Sequence, residues 1–320
     1  MQSIARPTSY DAATPAISCR GLIKRYGDVL AVDRLDLEVR RGECFGLLGP
    51  NGAGKTTTVE ILEGLLEPDA GDVRVLGLDW RRAAGELRRR IGVQLQETRL
   101  PEKLTVAETL RLFASFYGGQ RSVEELLGTV QLGDKRDARV SRLSGGQRQR
   151  LAVACGLVGD PDIFFLDEPT TGLDPQSRRS LWELLDGYRA SGRTVLLTTH
   201  YMEEATRLCD RVAIIDHGRT IALGTPSELI AGLGADHVVE LTLADHATAV
   251  TIDLGALPGV RSVQRREATV ALTVTELHTS VPLLLDQLAQ HGVALTGLST
   301  HHATLEDVFV ALTGRALREE

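Results

Sequence analysis

One stretch of eight residues, Gly49-Pro50-Asn51-Gly52-Ala53-Gly54-Lys55-Thr56, has the residue types and spacing to hold a chain of phosphates. It matches the pattern G-x-x-x-x-G-K-[ST], in which successive backbone N–H groups point at phosphate oxygens. The glycines let the chain turn tightly and approach an anion closely, because they have no Cβ. In this pattern Lys55 binds the β- and γ-phosphates and the Thr56 hydroxyl is a ligand of Mg²⁺. The stretch therefore predicts a nucleoside triphosphate site.

The segments on either side of this loop suit such a site. Residues 44–48 are a short apolar run typical of a strand, and residues 57–66 carry apolar side chains at helical spacing. A phosphate at the start of that helix would meet free N–H groups and the positive end of the helix dipole. Further apolar strands are predicted at 163–166, 194–198 and 212–216. Apolar strands joined by helices indicate an α/β fold with a mostly parallel sheet, covered on both faces.

The composition limits the classes of function. The 320 residues are 42% hydrophobic and 25% charged, as in ordinary globular proteins, and the net charge of −7 provides no basic field for nucleic acid. No apolar run approaches the ~18 residues that span a bilayer, and the start of the chain lacks the apolar region of a signal peptide. The four cysteines are scattered without a C-x-x-C pair, which argues against structural zinc or a disulfide framework. We therefore expect a cytosolic protein.

A second motif narrows the class of nucleotide-binding protein. Leu143-Ser144-Gly145-Gly146-Gln147 precedes a helical stretch, and the pair Asp167-Glu168 follows about twenty residues later at the end of an apolar strand. With the phosphate loop, these motifs resemble those of the ATP-binding-cassette (ABC) ATPases, in the order that this family has them. The resemblance covers roughly residues 17–230. It implies a P-loop NTPase cassette with a helical subdomain.

The resemblance implies roles for individual residues. Glu168, His200 and Gln96 would be catalytic: Glu168 would orient or deprotonate the attacking water, and His200 would contact the γ-phosphate. Mg²⁺ would be held by Thr56, Gln96 and Asp167. The residues expected to contact ATP are Tyr26, Gly49, Pro50, Asn51, Gly52, Ala53, Gly54, Lys55, Thr56, Thr57, Ser144, Gly145, Gly146, Gln147 and Asp174. The expected cofactors are thus ATP and Mg²⁺.

Some of these roles depend on a second copy of the chain. In the family, the helix that starts at Ser144 faces the γ-phosphate bound by another subunit, and Asp174 belongs to a loop that communicates between the two sites. The resemblance therefore implies a head-to-tail dimer with two ATP molecules between the subunits. Each residue also has a simpler interpretation. Ser144 is a good helix N-cap, Asp167-Glu168 could cap a turn, Tyr26 could be a surface residue and His200 a structural one.

The chain is expected to have four regions. Residues 1–15 lack periodicity and are predicted to be a disordered tail. Residues 16–232 form the ATP-binding domain, whose helical subdomain covers about 97–142, and residues 236–314 form an accessory domain. The accessory domain is predicted to have the β-α-β-β-α-β order of a ferredoxin-like α+β fold, including a weak helix near 245–255. It could support a dimer or regulate the cassette, or it could bind a small ligand.

The segment 304–314, TLEDVFVALTG, is similar to the end of ATPase subunits from two-component drug or antibiotic exporters, the daunorubicin-type, ABC-2 family. In that family the permease is a separate polypeptide. The resemblance implies an ATPase that powers export of a drug, antibiotic or other hydrophobic compound from the cytoplasmic face of the cell membrane. The alternative is a soluble ABC-type clamp that acts on a ribosome or DNA. The sequence does not reveal the exported compound, because the permease selects it.

Overall fold

The computed structural model describes residues 14–96, 98–117, 121–244, 252–266 and 269–314. The chain forms two compact units, which divide between Ile221 and Ala222. The predicted tail, residues 1–15, lies almost entirely outside the described residues.

The described residues form strands and helices in both units. The strands are β1 (Ile17–Tyr26), β2 (Val29–Val39), β3 (Cys44–Leu48), β4 (Ala70–Val75), β5 (Ile91–Gln94), β6 (Ile163–Asp167), β7 (Thr194–Thr199), β8 (Arg211–Asp216), β9 (Arg219–Gly224), β10 (His237–Leu243), β11 (Val260–Arg266), β12 (Thr269–Val274) and β13 (Leu295–His302). The helices are α1 (Lys55–Leu62), α2 (Trp80–Arg90), α3 (Val106–Tyr117), α4 (Val123–Thr129), α5 (Gly145–Leu157), α6 (Pro175–Ala190), α7 (Met202–Leu208), α8 (Pro226–Ala231), α9 (Leu277–Gln290) and α10 (Leu305–Thr313).

A six-stranded sheet carries the phosphate loop. Its strand order is β5-β6-β7-β3-β8-β9, and the pairs β5–β6, β6–β7, β7–β3 and β3–β8 are all parallel. Every residue of β3, β6 and β7 is buried, as expected for strands covered on both faces. Because these three neighbours are parallel, their carboxyl ends meet at one edge of the sheet. The predicted fold class is therefore confirmed.

A smaller antiparallel sheet with the order β2-β1-β4 packs in the same unit. Its apolar side chains join those of β3, α1 and β6 in one buried cluster, which includes Ile17, Leu35, Phe45 and Phe165. The residues that carry the phosphate loop are thus anchored between two sheets.

The predicted helical subdomain, about 97–142, contains α3, α4 and two single 3₁₀ turns at Gly133–Lys135 and Val140–Arg142. Val106 and Leu110 on α3 are buried, as the periodicity predicts. Phe116, which the same pattern assigns to that face, is 70% exposed. The 3.6-residue period identifies one side of a helix, but it does not reveal how far along the helix the covering elements extend.

The second unit contains an antiparallel sheet with the order β11-β12-β10-β13. This is the order of a ferredoxin-like sheet, in which the first and third strands lie in the middle. The helix predicted near 245–255 falls largely outside the described residues, and Leu254–Ala256 is a 3₁₀ turn. On α10, Leu305 and Phe309 are buried whereas Leu312, predicted to share their face, is 48% exposed.

None of the described helices combines the length and the apolar character that crossing a membrane requires.

Candidate functional site

The phosphate loop connects β3 to α1 through backbone that only glycine can adopt at two positions. A Cβ on Gly49 would lie 2.3 Å from the Ile215 carbonyl oxygen, and one on Gly54 would lie 2.3 Å from the Ala31 carbonyl oxygen. Gly54 also has a φ of 97° and precedes the first residue of α1. The loop is therefore held against neighbouring backbone on both sides, and α1 begins directly after it, as an anion site at a helix N-terminus requires.

Lys55 is held inside this loop. Its side-chain Nζ donates to the carbonyl oxygens of Gly49 at 2.7 Å and Pro50 at 3.0 Å, and the residue is 6% exposed. Burial lowers the pKa of Lys55, and the charges of Glu168 and Asp167 counteract that effect. The ammonium is thus desolvated and bound by neutral carbonyl groups. Anionic phosphate oxygens would bind it more strongly, because charge-assisted hydrogen bonds are about twice as strong as neutral ones.

Asp167 is the last residue of the buried strand β6. Burial raises its pKa, an effect that the hydrogen bond from the Thr198 hydroxyl opposes, while the Glu168 charge raises the pKa further. A divalent cation placed here would offset both the burial and the repulsion between the two carboxylates. Thr56 and Gln96 also offer side-chain oxygens, so the three predicted Mg²⁺ ligands have the hard donors that this ion prefers.

Glu168 lies where several elements meet, one residue beyond β6. Its φ of 46° is uncommon for a residue other than glycine, and its N–H donates to the Thr198 hydroxyl oxygen at 3.1 Å. Its carboxylate oxygen Oε2 accepts from Gln96 Nε2 at 3.4 Å, and it lies 3.2 Å from His200 Nδ1. The Thr171 hydroxyl donates to the same oxygen at 3.2 Å. The structure thus brings together all three predicted catalytic residues around one carboxylate, in a strained conformation that is typical of functional sites.

The motif that begins at Ser144 forms the N-terminus of α5. The Ser144 hydroxyl accepts from the Gln147 N–H at 3.2 Å, and Gln147 Oε1 accepts from the Ser144 N–H at 3.0 Å. This reciprocal pair is a capping box, which satisfies two N–H groups of the helix end. The simpler interpretation of Ser144 as an N-cap is therefore correct, and it does not exclude a role in ATP binding.

Asp174 caps α6 in a similar way. Its carboxylate accepts from the N–H groups of Gln176 and Ser177, both at 3.0 Å, and from the Ser177 hydroxyl at 2.6 Å. The hydrogen bonds from Ser177 lower the pKa of Asp174. A Cβ on Gly146 would lie 2.2 Å from the Ser177 hydroxyl oxygen. The first turn of α6 therefore packs directly on the start of α5, and only glycine fits at the contact.

The predicted site residues thus form two groups. The first group contains Lys55, Gln96, Asp167, Glu168 and His200. The second group contains Asp174 and the start of α5, residues 144–147. Within the described residues, no hydrogen bond or ion pair joins the functional side chains of one group to those of the other. Tyr26 belongs to neither group: it ends β1, it is 48% exposed, and Lys24 Nζ lies 5.9 Å from its ring centroid.

Sequence reasoning missed two supporting residues and one buried acid. Thr198 contacts both acids, and its position two residues before His200, near the end of a strand, was the available signal. The second is Thr171, whose hydroxyl donates to the Glu168 carboxylate and to which no motif gave a role. Glu63, at the end of α1, is buried, and its two carboxylate oxygens accept no hydrogen bond within the described part of the chain. Burial and the nearby Asp167 raise the pKa of Glu63 to about 8.

Several known proteins are similar to this chain in sequence or in structure. The family model described as ABC transporter matches residues 32–171. "Nod factor export ATP-binding protein I" of Ralstonia nicotianae is 45% identical over 315 residues, which is 96% of each chain. A solved ATP-binding subunit of an ABC transporter has a TM-score of 0.62 and 31% identity, over 68% of this chain and 93% of its own. A dimeric ATP-binding cassette with ADP and Pi, in a post-hydrolysis state, has a TM-score of 0.59 and 27% identity, over 65% and 98% of the two chains.

The phosphate loop, the motifs that follow it and a relative that matches nearly the whole chain lead to one conclusion. The chain belongs to the ABC transporter family, as an ATP-binding subunit of an exporter and an ATPase coupled to transport.

Proposed function

We propose that this ATPase powers a separate membrane permease that exports a hydrophobic compound, such as a drug or an antibiotic. The observation that carries the ATP-hydrolysing part of this proposal is the convergence of Gln96 and His200 on the carboxylate of Glu168, whose charge also acts on the buried Lys55. This arrangement suits a water held between a carboxylate and the γ-phosphate of ATP. Glu168 would orient the water or accept its proton, and His200 would contact the γ-phosphate.

Lys55 would neutralise the β- and γ-phosphates, replacing its present carbonyl partners with phosphate oxygens. Thr56, Gln96 and Asp167 would hold Mg²⁺, whose charge supplies the stabilisation of the transferred phosphoryl group. Tyr26 would stack on the adenine. Its exposed ring at the turn between β1 and β2 leaves a face open for a base.

We further propose that two copies act head to tail, so that the start of α5 in one copy meets the ATP of the other. Two findings support this arrangement. The residues from Ser144 to Gln147 form their own group with Asp174, away from Lys55, and one similar cassette is a dimer with ADP and Pi. A site in which the γ-phosphate bridges the copies would make dimer formation depend on ATP.

The permease would bind the helical subdomain. Leu112 and Phe116 are one turn apart on α3 and both are exposed, as is Leu95 beside Gln96. Large apolar side chains exposed in this way fit an apolar helix at the cytoplasmic end of a permease. Through that contact the chain would be peripheral to the membrane, on its cytoplasmic face.

Two classes of cargo can be compared. The ending at 304–314 favours the drug or antibiotic exporters, whereas the similar protein of Ralstonia nicotianae is named for export of a Nod factor. That name also favours a transporter over a clamp on a ribosome or DNA. A Nod factor is therefore the second candidate for the exported compound.

The test uses inside-out vesicles that contain this chain and a candidate permease, chosen as a membrane-spanning protein that this chain captures. ATP-driven uptake of hydrophobic antibiotics, and of a Nod factor, is measured with wild-type protein and with Lys55→Ala. The proposal expects uptake of at least one hydrophobic antibiotic that Lys55→Ala abolishes. Uptake of the Nod factor alone would replace the drug assignment by the second candidate, and no transport of any compound would contradict both.

The proposed docking surface for the permease, formed by Leu95, Leu112 and Phe116, can be tested separately. Phe116→Ser should reduce capture of the permease while the ATPase activity of the isolated subunit stays near that of the wild type. Leu65→Ser is a matched control, because Leu65 is 64% exposed but lies outside the helical subdomain. Equal permease capture by Phe116→Ser and Leu65→Ser would contradict this docking surface.

A further inference from the structure

The ring of His200 is stacked on a neighbouring aromatic ring that no family motif in the sequence includes. The ring centroids of His200 and Tyr201 are 4.1 Å apart, and their planes are tilted by 40°. The guanidinium carbon of Arg178 lies 4.6 Å from the centroid of the Tyr201 ring. An imidazole, a phenol ring and a guanidinium group therefore pack in series beside Glu168.

The backbone at Tyr201 is held in place on both sides of the residue. The Tyr201 N–H donates to the Thr199 hydroxyl at 2.9 Å, and Tyr201 is the residue that precedes α7. The next residue, Met202, is buried, so the start of α7 is anchored in the core. With both backbone ends held, the orientation of the His200 ring depends on what packs against its face.

Arg178 comes from the first turn of α6. Its N–H donates to the Asp174 carbonyl oxygen at 3.0 Å, and its neighbour Ser177 is the residue against which Gly146 packs. The positive charge of Arg178 also opposes the burial that raises the pKa of the carboxyl of Glu204, on α7. The guanidinium thus lies between a fixed helix start and a second helix, where it can hold the Tyr201 ring by a cation–π contact.

We propose that Tyr201 is a positioning residue for His200, and that Arg178 holds Tyr201 in place. The stack fixes the plane of the imidazole, so that Nδ1 stays 3.2 Å from the Glu168 carboxylate. The second ring nitrogen, Nε2, is then directed elsewhere and remains available for the γ-phosphate. This inference rests on the role proposed for His200 in hydrolysis.

The stack of His200, Tyr201 and Arg178 also connects the two groups of site residues. Arg178 and Asp174 share one turn of α6, and that turn packs on the start of α5 through Gly146. A displacement of α6, when a second copy engages Asp174 or the start of α5, would therefore move the support of the Tyr201 ring. The orientation of His200 in one site would then depend on the contacts made by α6 with the second copy.

The experiment compares ATPase kinetics and nucleotide affinity for full-length variants at positions 201 and 178. Tyr201→Leu removes the ring, and we expect kcat to fall about fivefold or more while KM for ATP changes less than twofold. Tyr201→Phe keeps the ring faces and should restore kcat to within about twofold of wild type. Arg178→Gln should lower kcat about threefold, and the double variant Tyr201→Leu/Arg178→Gln should be no slower than Tyr201→Leu alone. Arg179→Gln is the matched control, since Arg179 is an exposed neighbour on α6.

The outcomes separate this inference from the proposed function. Lys55→Ala and Glu168→Gln, measured in parallel, test the site itself, and wild-type turnover by both would contradict the proposed function. If those two variants are inactive while Tyr201→Leu turns over like the wild type, only the positioning role is wrong. Equal losses for Tyr201→Phe and Tyr201→Leu would show that the ring faces do not position His200. Thermal unfolding of every variant shows whether it is folded. If Tyr201→Leu is unfolded, Arg178→Gln still tests the stack, because it leaves the Tyr201 ring in place.

Discussion

Replacing Glu63 by glutamine should change the pH dependence of stability in a way that can be worked out from its burial. Both oxygens of the Glu63 carboxyl are buried, and burial together with the Asp167 charge raises its pKa from 4.5 to about 8. In the unfolded chain the same group ionises near its ordinary value. The folded protein therefore binds one more proton than the unfolded chain between these two values, and its stability falls as pH rises.

The size of the effect follows from the two pKa values. With 4.5 in the unfolded chain and about 8 in the folded protein, keeping Glu63 protonated costs about 3.3 kcal/mol at pH 7 and about 0.8 kcal/mol at pH 5. Glutamine has a similar shape and does not titrate. The free energy of unfolding of Glu63→Gln, relative to the wild type, should therefore rise by about 2.5 kcal/mol between pH 5 and pH 7. A folded pKa anywhere above 7 gives nearly the same difference.

Urea unfolding at pH 5, 6 and 7, without nucleotide and with EDTA to keep cations away from Asp167, measures this difference. Any change in packing or hydrogen bonding caused by glutamine adds a constant at each pH, so it cancels in the comparison. Glu67→Gln, which removes an exposed carboxylate shortly after Glu63, is the control and should show no such trend. If the difference between Glu63→Gln and wild type is the same at pH 5 and pH 7, Glu63 is not a buried neutral acid and the reasoning is wrong.

Three further outcomes follow from the site. Lys55→Ala should abolish ATP binding, because it removes the desolvated cation of the phosphate loop; retained Mg-ATP affinity, measured with a fluorescent analogue, would contradict this role. Glu168→Gln should bind ATP, fail to hydrolyse it and accumulate as an ATP-bound dimer in size-exclusion chromatography, and turnover near wild type would rule out Glu168 as the catalytic acid–base group. Gly146→Ala should bind ATP in the single subunit yet lower steady-state ATPase activity at least tenfold, because its Cβ would lie 2.2 Å from Ser177 Oγ. Normal turnover by this variant would show that α5 and α6 can separate without loss of function.

Much of the nucleotide site was predictable because its residues follow local rules. Glycines at fixed spacing, a lysine and a helix start form the phosphate loop within eight residues of sequence. The strands that lead to Asp167 and His200 have apolar stretches at 163–166 and 195–197, which is typical of strands buried in a parallel sheet. That Gln96, Glu168 and His200 act together was expected from the resemblance to the ABC ATPases, and the neighbouring parallel strands β5, β6 and β7 give the physical reason why they meet.

Other features depend on contacts between distant segments, which a local pattern does not contain. Phe116 and Leu312 follow the apolar period of their helices, yet both are exposed. Glu63 is an acid at the end of an apolar helix, where the sequence predicts a surface residue. In the structure it is buried, close enough to Asp167 for that charge to raise its pKa. Arg178 packs on Tyr201 although the two residues lie on different elements, and no helical or strand period relates positions that far apart. Such features are decided by tertiary packing and need coordinates.

The short segment from Glu168 to Asp174 relates the two groups of site residues. It is a tight turn, in which the Thr171 N–H donates to the Glu168 carbonyl and the Leu173 N–H donates to the Thr170 carbonyl, both at 3.2 Å. The Thr171 hydroxyl also bonds the Glu168 carboxylate, so the turn is tied to the catalytic side chain as well as to its backbone. Because Asp174 caps α6 and α6 packs on the start of α5, we expect a shift of Glu168 during hydrolysis to be transmitted over these six residues to the surface proposed to meet the second copy. The strained φ of Glu168 adds a reason for such a shift, since a change in its contacts can release that strain.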